Sequence, residues 1–173
     1  MLRCQPGSVT NLTAQATCRK CEAGTFQKNR ARQECEVCEL GGYCPPGASS
    51  PTPCEAGRFG NRTGLETLHG CYFCEPGSSC PIGSKQPMPC APGSIAPVAR
   101  YLEVQARALP ASNLSTCALC EPGKFQEDAG QMECRPCTPG GYCGPKPGAA
   151  AATPCPAGYF NAGTLTLALA QEP

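Results

Sequence analysis

Tryptophan is missing from this chain and histidine occurs once, at His69. A Ser/His/Asp or Cys/His catalytic arrangement would therefore have to be built on His69. That residue stands two positions before Cys71 in a polar stretch and reads as a surface side chain, so an enzyme is not expected. Large apolar residues are scarce as well. Leu, Ile, Val and Phe together make 23 of 173 residues, too few for a continuous hydrophobic core. No stretch approaches the roughly 18 apolar residues of a membrane span. An apolar leader region does not follow Met1-Leu-Arg-Cys4 either, so a signal peptide and any anchor are expected outside this segment of a longer polypeptide. Lys and Arg (14) nearly balance Asp and Glu (13), and the scattered cations give no footprint for nucleic acid or an anionic membrane. Phosphate-binding glycine loops are also lacking, because each glycine reads as part of a turn.

What the chain has in excess is cysteine (17), glycine (20) and proline (20). Cysteine at this density implies a disulfide framework in place of a core, and hence an oxidising compartment, the secretory lumen or the cell exterior. The cysteines also repeat. Cys21-Glu-Ala-Gly-Thr-Phe26, through Cys35 and Cys38 to Gly41-Gly-Tyr-Cys44, returns almost unchanged as Cys120-Glu-Pro-Gly-Lys-Phe125, through Cys134 and Cys137 to Gly140-Gly-Tyr-Cys143. Cys35, Cys38, Cys44 and Cys54 recur 36 residues later as Cys71, Cys74, Cys80 and Cys90. One small unit has been strung into an array.

Eleven cysteines have glycine at the third following position; Cys44 (Gly47) and Cys80 (Gly83) lack an apolar residue two further on, and the other nine, Cys4, Cys21, Cys38, Cys54, Cys74, Cys90, Cys120, Cys137 and Cys155, read as openers. Cys-x-Pro-Gly and Cys-x-Ala-Gly suit a tight turn, with Pro fixing one φ and Gly supplying a positive one. Two residues beyond the glycine stands an apolar side chain (Val9, Phe26, Tyr43, Phe59, Ile95, Phe125, Tyr142, Phe160), expected to lie against a disulfide as a miniature core; Cys74 departs from this, with Ser79 there. If these cysteines open loops and the intervening ones close them, the pairs are Cys4 with Cys18, Cys21 with Cys35, Cys38 with Cys44, Cys54 with Cys71, Cys74 with Cys80, Cys90 with Cys117, Cys120 with Cys134 and Cys137 with Cys143. Cys155 is then unpaired. A rival scheme joins Cys35 to Cys44 and Cys38 to Cys54, and likewise in the other four-cysteine units, leaving Cys21, Cys117 and Cys120 unpaired. Spacing alone does not decide between them.

Pro- and Gly-rich segments such as 45–53, 81–89 and 144–154 have little to bury and favour extended geometry between hairpins. The expected fold is therefore a small disulfide-rich, elongated tandem array of short antiparallel β-hairpins and loops, with little helix. Its expected divisions are a partial repeat at 1–20, repeats at 21–53 and 54–89, an atypical repeat at 90–119, a repeat at 120–154 and a truncated repeat at 155–173. Within the atypical repeat, Val98, Leu102, Ala106 and Leu109 share one helical face, so 98–109 fits a short helix or a loop insertion equally well. The segment 164–169 alternates like a strand but has no closing cysteine, which suggests loose order.

Zinc is the competing chemistry. Cys18, Cys21, Cys35 and Cys38, and again Cys117, Cys120, Cys134 and Cys137, read C-x2-C-x13-C-x2-C, a spacing able to surround one ion with four thiolates. Against it, Cys71 and Cys74 lack a partner pair, and Cys44, Cys54, Cys80, Cys90 and Cys143 would have no role. Thiol redox chemistry would need a strand-to-helix setting that lowers a thiol pKa, and each C-x2-C here joins the end of one loop to the start of the next. Glu22, Glu55, Glu75 and Glu121 read as solvated turn residues. Asn11-Leu-Thr13, Asn61-Arg-Thr63 and Asn113-Leu-Ser115 are glycosylation triplets inside expected loops, which agrees with export.

The combination Cys-x-Pro-Gly-x-Phe, a closing C-x2-C, Gly-Gly-Tyr-Cys, a Ser/Pro spacer and Thr-Pro-Cys resembles the ephrin-receptor-like cysteine-rich repeat, from Cys4 to Phe160 except between Cys90 and Cys117. More loosely it is similar to tumour-necrosis-factor-receptor and growth-factor-receptor cysteine-rich modules. The resemblance implies a non-catalytic extracellular scaffold without cofactors that spaces or presents surfaces to an extracellular protein or glycan. A ligand-binding receptor module and an intracellular zinc protein are the alternatives. The residues that match are structural, and they transfer no ligand.

Overall fold

The computed structural model describes residues 4–10, 17–96 and 115–160, and a strand at 168–169. The expected helix at 98–109 lies outside these residues, as do Asn11, Asn113 and most of 161–173. Among the described residues every sheet is a two-stranded antiparallel ribbon of two-residue strands. In chain order, β1 (Ser8–Val9) pairs with β2 (Arg19–Lys20), β3 (Thr25–Phe26) with β4 (Glu36–Val37), and β5 (Gly42–Tyr43) with β6 (Thr52–Pro53). Next, β7 (Arg58–Phe59) pairs with β8 (Tyr72–Phe73), β9 (Ser78–Ser79) with β10 (Met88–Pro89), and β11 (Ser94–Ile95) with β12 (Ala118–Leu119). The last three are β13 (Lys124–Phe125) with β14 (Arg135–Pro136), β15 (Gly141–Tyr142) with β16 (Thr153–Pro154), and β17 (Tyr159–Phe160) with β18 (Ala168–Leu169). The described helix content is one 3-10 turn at Leu68–Gly70.

Each hairpin begins at the turn foreseen from the Cys-x-x-Gly tetrad. In Glu22–Thr25 the Thr25 N–H donates to the Glu22 carbonyl at 3.1 Å and Gly24 holds φ +80°, the arrangement of a type II turn. The Thr25 hydroxyl adds a second bond to the same carbonyl at 2.7 Å. A two-residue ribbon closed by one turn is marginal alone in water, and two further kinds of bond support it here.

The first is covalent, through the disulfides described below. The second is backbone bonding from each repeat to the next. The chain divides into two compact units, Met1–Cys74 with Cys80–Pro87, and Glu75–Ser79 with Met88–Pro173. In the first, Gly24 N donates to the Cys44 carbonyl (2.8 Å), Gly47 N to the Cys21 carbonyl (2.8 Å), and Gln27 N to the Ala48 carbonyl (3.1 Å). The preceding repeat makes the same three bonds, from Gly7 to Gln27, Ala31 to Cys4 and Thr10 to Arg32. In the second unit the set is Gly93 to Gln126 (2.7 Å), Gly130 to Cys90 (2.8 Å) and Ala96 to Gln131 (3.1 Å). Polar backbone that a short ribbon leaves unpaired is thus satisfied by its neighbour.

Backbones approach closely at these junctions. A Cβ added to Gly41 would lie 2.3 Å from the Gly83 carbonyl oxygen, so no side chain fits there, whatever its φ. The core is correspondingly small and discontinuous. Cys38, Cys44, Cys54 and Cys74 are fully buried, with Val9, Phe26 and Phe59 as the buried members of the apolar series. Phe26 packs on the Cys38 and Cys44 sulfurs of the following repeat, with Ala48 beside them. Tyr43, Ile95, Phe125 and Tyr142 are half-buried, and Ser79 occupies the buried slot of the exceptional repeat.

Candidate functional site

Sixteen cysteines form eight disulfides between consecutive cysteines: Cys4–Cys18, Cys21–Cys35, Cys38–Cys44, Cys54–Cys71, Cys74–Cys80, Cys90–Cys117, Cys120–Cys134 and Cys137–Cys143. Strand register sets the geometry. Cys18 directly precedes β2, whose Arg19 faces Val9, and Cys35 stands in the same relation to β4, so both bridges tie the start of a hairpin's first arm to the loop end of its second. Where opener and closer are six residues apart, as in Cys38–Cys44, the closer instead follows the first strand. Chain entropy makes a loop of about 15 residues worth roughly 3 kcal/mol and one of about 7 residues roughly 2.4 kcal/mol. The Cys90–Cys117 bridge spans 27 residues, yet Ser94 still pairs with Leu119 as in the shorter hairpins.

These bonds occupy every sulfur of both C-x2-C-x13-C-x2-C quartets. Cys18 is joined to Cys4, Cys21 to Cys35 and Cys38 to Cys44, and the second quartet repeats that pattern. A disulfide sulfur is not a thiolate ligand. Among the described residues no group of three or more His, Cys, Asp or Glu side chains is placed to hold a metal ion. Cys155 is a half-buried free thiol whose N–H nevertheless donates to the Gly140 carbonyl at 3.0 Å, as other openers donate one repeat back. His69 lies exposed in the 3-10 turn, and Asn61 is exposed in the loop after β7. Glu22 and Glu121 are exposed and pair with Arg19 at 3.0 Å and Lys124 at 3.2 Å.

Three features escape a reading of the sequence. The first is a buried glutamine after the apolar residue. Gln27 and Gln126 are each 2 % exposed, and their amides donate to the Glu34 and Glu133 carbonyls at 2.8 and 2.7 Å. Their side-chain oxygens accept from Asn29 N at 2.9 Å and Asp128 N at 3.1 Å, so each organises its whole loop. The common Phe-Gln of the two near-copies was the available signal. The second is an arginine–aromatic cluster: Arg58 lies 3.8 Å over the Phe73 ring and bonds the Cys71 carbonyl at 3.0 Å, while Phe59 meets Tyr72 at 5.9 Å. Arg62 lies 5.5 Å over Tyr72 and also bonds its hydroxyl.

The third is a reversal of charge between near-copies. The loop after Gln27 carries Lys28, Arg30 and Arg32, all exposed; at the same positions after Gln126 stand Glu127, Ala129 and Gln131. Arg135 ion-pairs with Glu127 at 2.9 Å and reaches Asp128 at 3.8 Å, whereas its counterpart in the first copy is Glu36. Lys28, Arg30 and Arg32 have no ion-pair partner among the described residues.

No helix among the described residues is long and apolar enough to cross a membrane. Comparison with known proteins gives no matching family model and no matching curated protein. The chain is thus described by its own architecture: a small disulfide-rich tandem of antiparallel β-hairpins, with the form of a generic cysteine-rich repeat.

Proposed function

We propose that this chain is a non-catalytic, extracellular or lumenal cysteine-rich segment that serves as a spacer or ligand-presenting scaffold within a larger secreted or membrane-anchored protein. The observation that carries this reading is that a disulfide is built into each described hairpin from β1 to β14: five bridges link the two arms, and Cys38–Cys44 and Cys74–Cys80 staple the first strand of the other two. With so few large apolar residues the ribbons depend on those bridges, and the bridges depend on an oxidising compartment. The finer assignment to ephrin-receptor-like repeats rests on the Cys-x-Pro-Gly-x-Phe and Gly-Gly-Tyr-Cys motifs, and it adds no ligand. A receptor module is the second reading, favoured by the partly exposed Arg62–Tyr72 pair, since arginine and tyrosine are enriched at binding hot spots.

The test is production through a eukaryotic secretory route behind a supplied signal peptide. The expected product carries a glycan at Asn61, contains no stoichiometric zinc, and loses its structure to a reductant but not to a chelator. About one zinc per four-cysteine block, with unfolding by chelator, would refute the reading.

A further inference from the structure

The backbone of the cationic loop 28–32 is tied to its surroundings by hydrogen bonds. Asn29 N donates to the buried Gln27 side chain, Ala31 N to the Cys4 carbonyl, and the Arg32 carbonyl accepts from Thr10 N. Thr10 directly follows β1, and across β1 from this loop lies β2, with Lys20 opposite Ser8. Two strand spacings, about 10 Å, thus separate the backbone of Lys20 from that of the loop. The stem of Lys20 lies along Gly47, and the residue is exposed. Arg19 is paired with Glu22, but Lys20, Lys28, Arg30 and Arg32 are all unpaired among the described residues. Glu34 and Glu36 border the loop on its C-terminal side, so the excess positive charge is concentrated at 28–32.

The near-copy supplies an internal comparison on the same backbone. Its loop makes the equivalent bonds, from Asp128 N to Gln126, from Gly130 N to Cys90, and from Ala96 N to the Gln131 carbonyl. Yet Leu119, Glu127, Ala129 and Gln131 stand where the four cations stand. The fold therefore does not require those cations. Both carboxylates of the acidic loop already share Arg135, which makes it a weaker acceptor for the basic loop of a second copy. Residues 28–33, Lys-Asn-Arg-Ala-Arg-Gln, offer no large apolar side chain to seat the anchors of a peptide. Guanidinium forks and ammonium groups do match the oxygens of sulfate and carboxylate.

We propose that Lys28, Arg30 and Arg32, flanked by Lys20, form a binding surface for a linear anionic polysaccharide. This gives the scaffold of the preceding section a partner class and rests on that reading. Heparin is the probe, applied to purified protein with its disulfides intact. The wild-type chain is expected to stay on immobilised heparin at about physiological salt, and Lys28→Gln/Arg30→Gln/Arg32→Gln to elute there, with the salt slope of binding reduced by about two to three, as counterion release predicts for three lost contacts. A transplant keeps the test independent of damage to the first loop: Glu127→Lys/Asp128→Asn/Ala129→Arg/Gln131→Arg/Arg135→Glu in that triple variant should restore retention. Disulfide peptide maps of each variant must match the wild type. Flow-through of the wild type, equal retention of the triple variant, or equal competition by polyglutamate of matched charge would each overturn the proposal. Heparin failure combined with an intact secreted and glycosylated product would remove the partner and leave the scaffold reading standing.

Discussion

Ala31 offers the sharpest test of the inter-repeat bonding. It occupies the position whose N–H donates to an opener carbonyl one repeat back, and its φ is +55°. The residues making that same bond elsewhere, Gly47, Gly64, Gly83, Gly130 and Gly148, are glycines with φ between +74° and +90°. An L-residue in the left-handed region costs about 1–2 kcal/mol, while glycine adds roughly 0.4–1 kcal/mol of unfolded-chain entropy. Ala31→Gly should therefore stabilise by about 0.5–1 kcal/mol. The converse change is expected to behave differently at two kinds of glycine. A Cβ on Gly130 would meet nothing nearer than the Pro89 Cβ at 3.8 Å, so Gly130→Ala suffers only the backbone term, about 1 kcal/mol. A Cβ on Gly41 would lie 2.3 Å from the Gly83 carbonyl oxygen, backbone that cannot rotate aside, so Gly41→Ala must separate two repeats and should cost several times more. Denaturant unfolding with disulfides intact, together with hydrogen exchange at the residue-31 amide, measures all three. A neutral or destabilising Ala31→Gly, or equal losses at Gly130 and Gly41, would refute this account of the junctions.

Gln126→Ala removes both partners of a loop, the donor to the Glu133 carbonyl and the acceptor for Asp128 N, and should cost about 2 kcal/mol by denaturant midpoint. Gln126→Glu keeps an acceptor but loses the donor and buries a carboxylate, so it should be worse than Ala; an equal or milder effect would contradict the bonding. Under native conditions one thiol per molecule should label, at Cys155, and Cys155→Ser should leave stability nearly unchanged. Cys120→Ser should cost roughly 3 kcal/mol and expose a second labelled thiol at Cys134. Label on Cys21 or Cys117 in the wild type would reject the pairing.

The hairpin class could be read from residues whose local chemistry permits little else. Gly24 after Ala23, and Gly93 after Pro92, suit a turn that needs a positive φ at its third residue, and that turn opens each described ribbon, whereas the same tetrads at Cys44–Gly47 and Cys80–Gly83 open none. Spacing left two disulfide schemes open because Cys35, Cys38 and Cys44 lie close enough together for either; the turn at Glu22–Thr25 and the β3–β4 ribbon together bring Cys21 to Cys35, the last loop residue before β4. Bonding between repeats was illegible for a different reason. It runs through backbone atoms of glycines such as Gly41, which bonds the Gly60 carbonyl, and Gly83, which bonds the Cys54 carbonyl, and these carry no side chain to announce a partner. Gln27 was passed over because glutamine reads as a surface residue, and only the fold shows that its amide replaces backbone partners missing from an irregular loop. The cations of 28–32 appeared scattered when averaged over the chain, and their contrast with Glu127 emerges only when the two copies are aligned as equivalent bodies.

Disulfides that join consecutive cysteines also bear on synthesis. Residues emerge from a ribosome at about 5–20 per second, so the 14 residues separating Cys21 from Cys35 appear within roughly 1–3 s, and both partners are present before the next opener is exposed. A chain linked in this way can thus be oxidised in order as it emerges, with at most a few free thiols at any moment and little chance of a mispaired bridge. The same nearest-neighbour linkage lets a genetic duplication add a whole repeat without orphaning a cysteine. It also lets an insertion such as that between Cys90 and Cys117 grow inside one closed loop, where doubling the loop length changes its closure term by only about 0.6 kcal/mol.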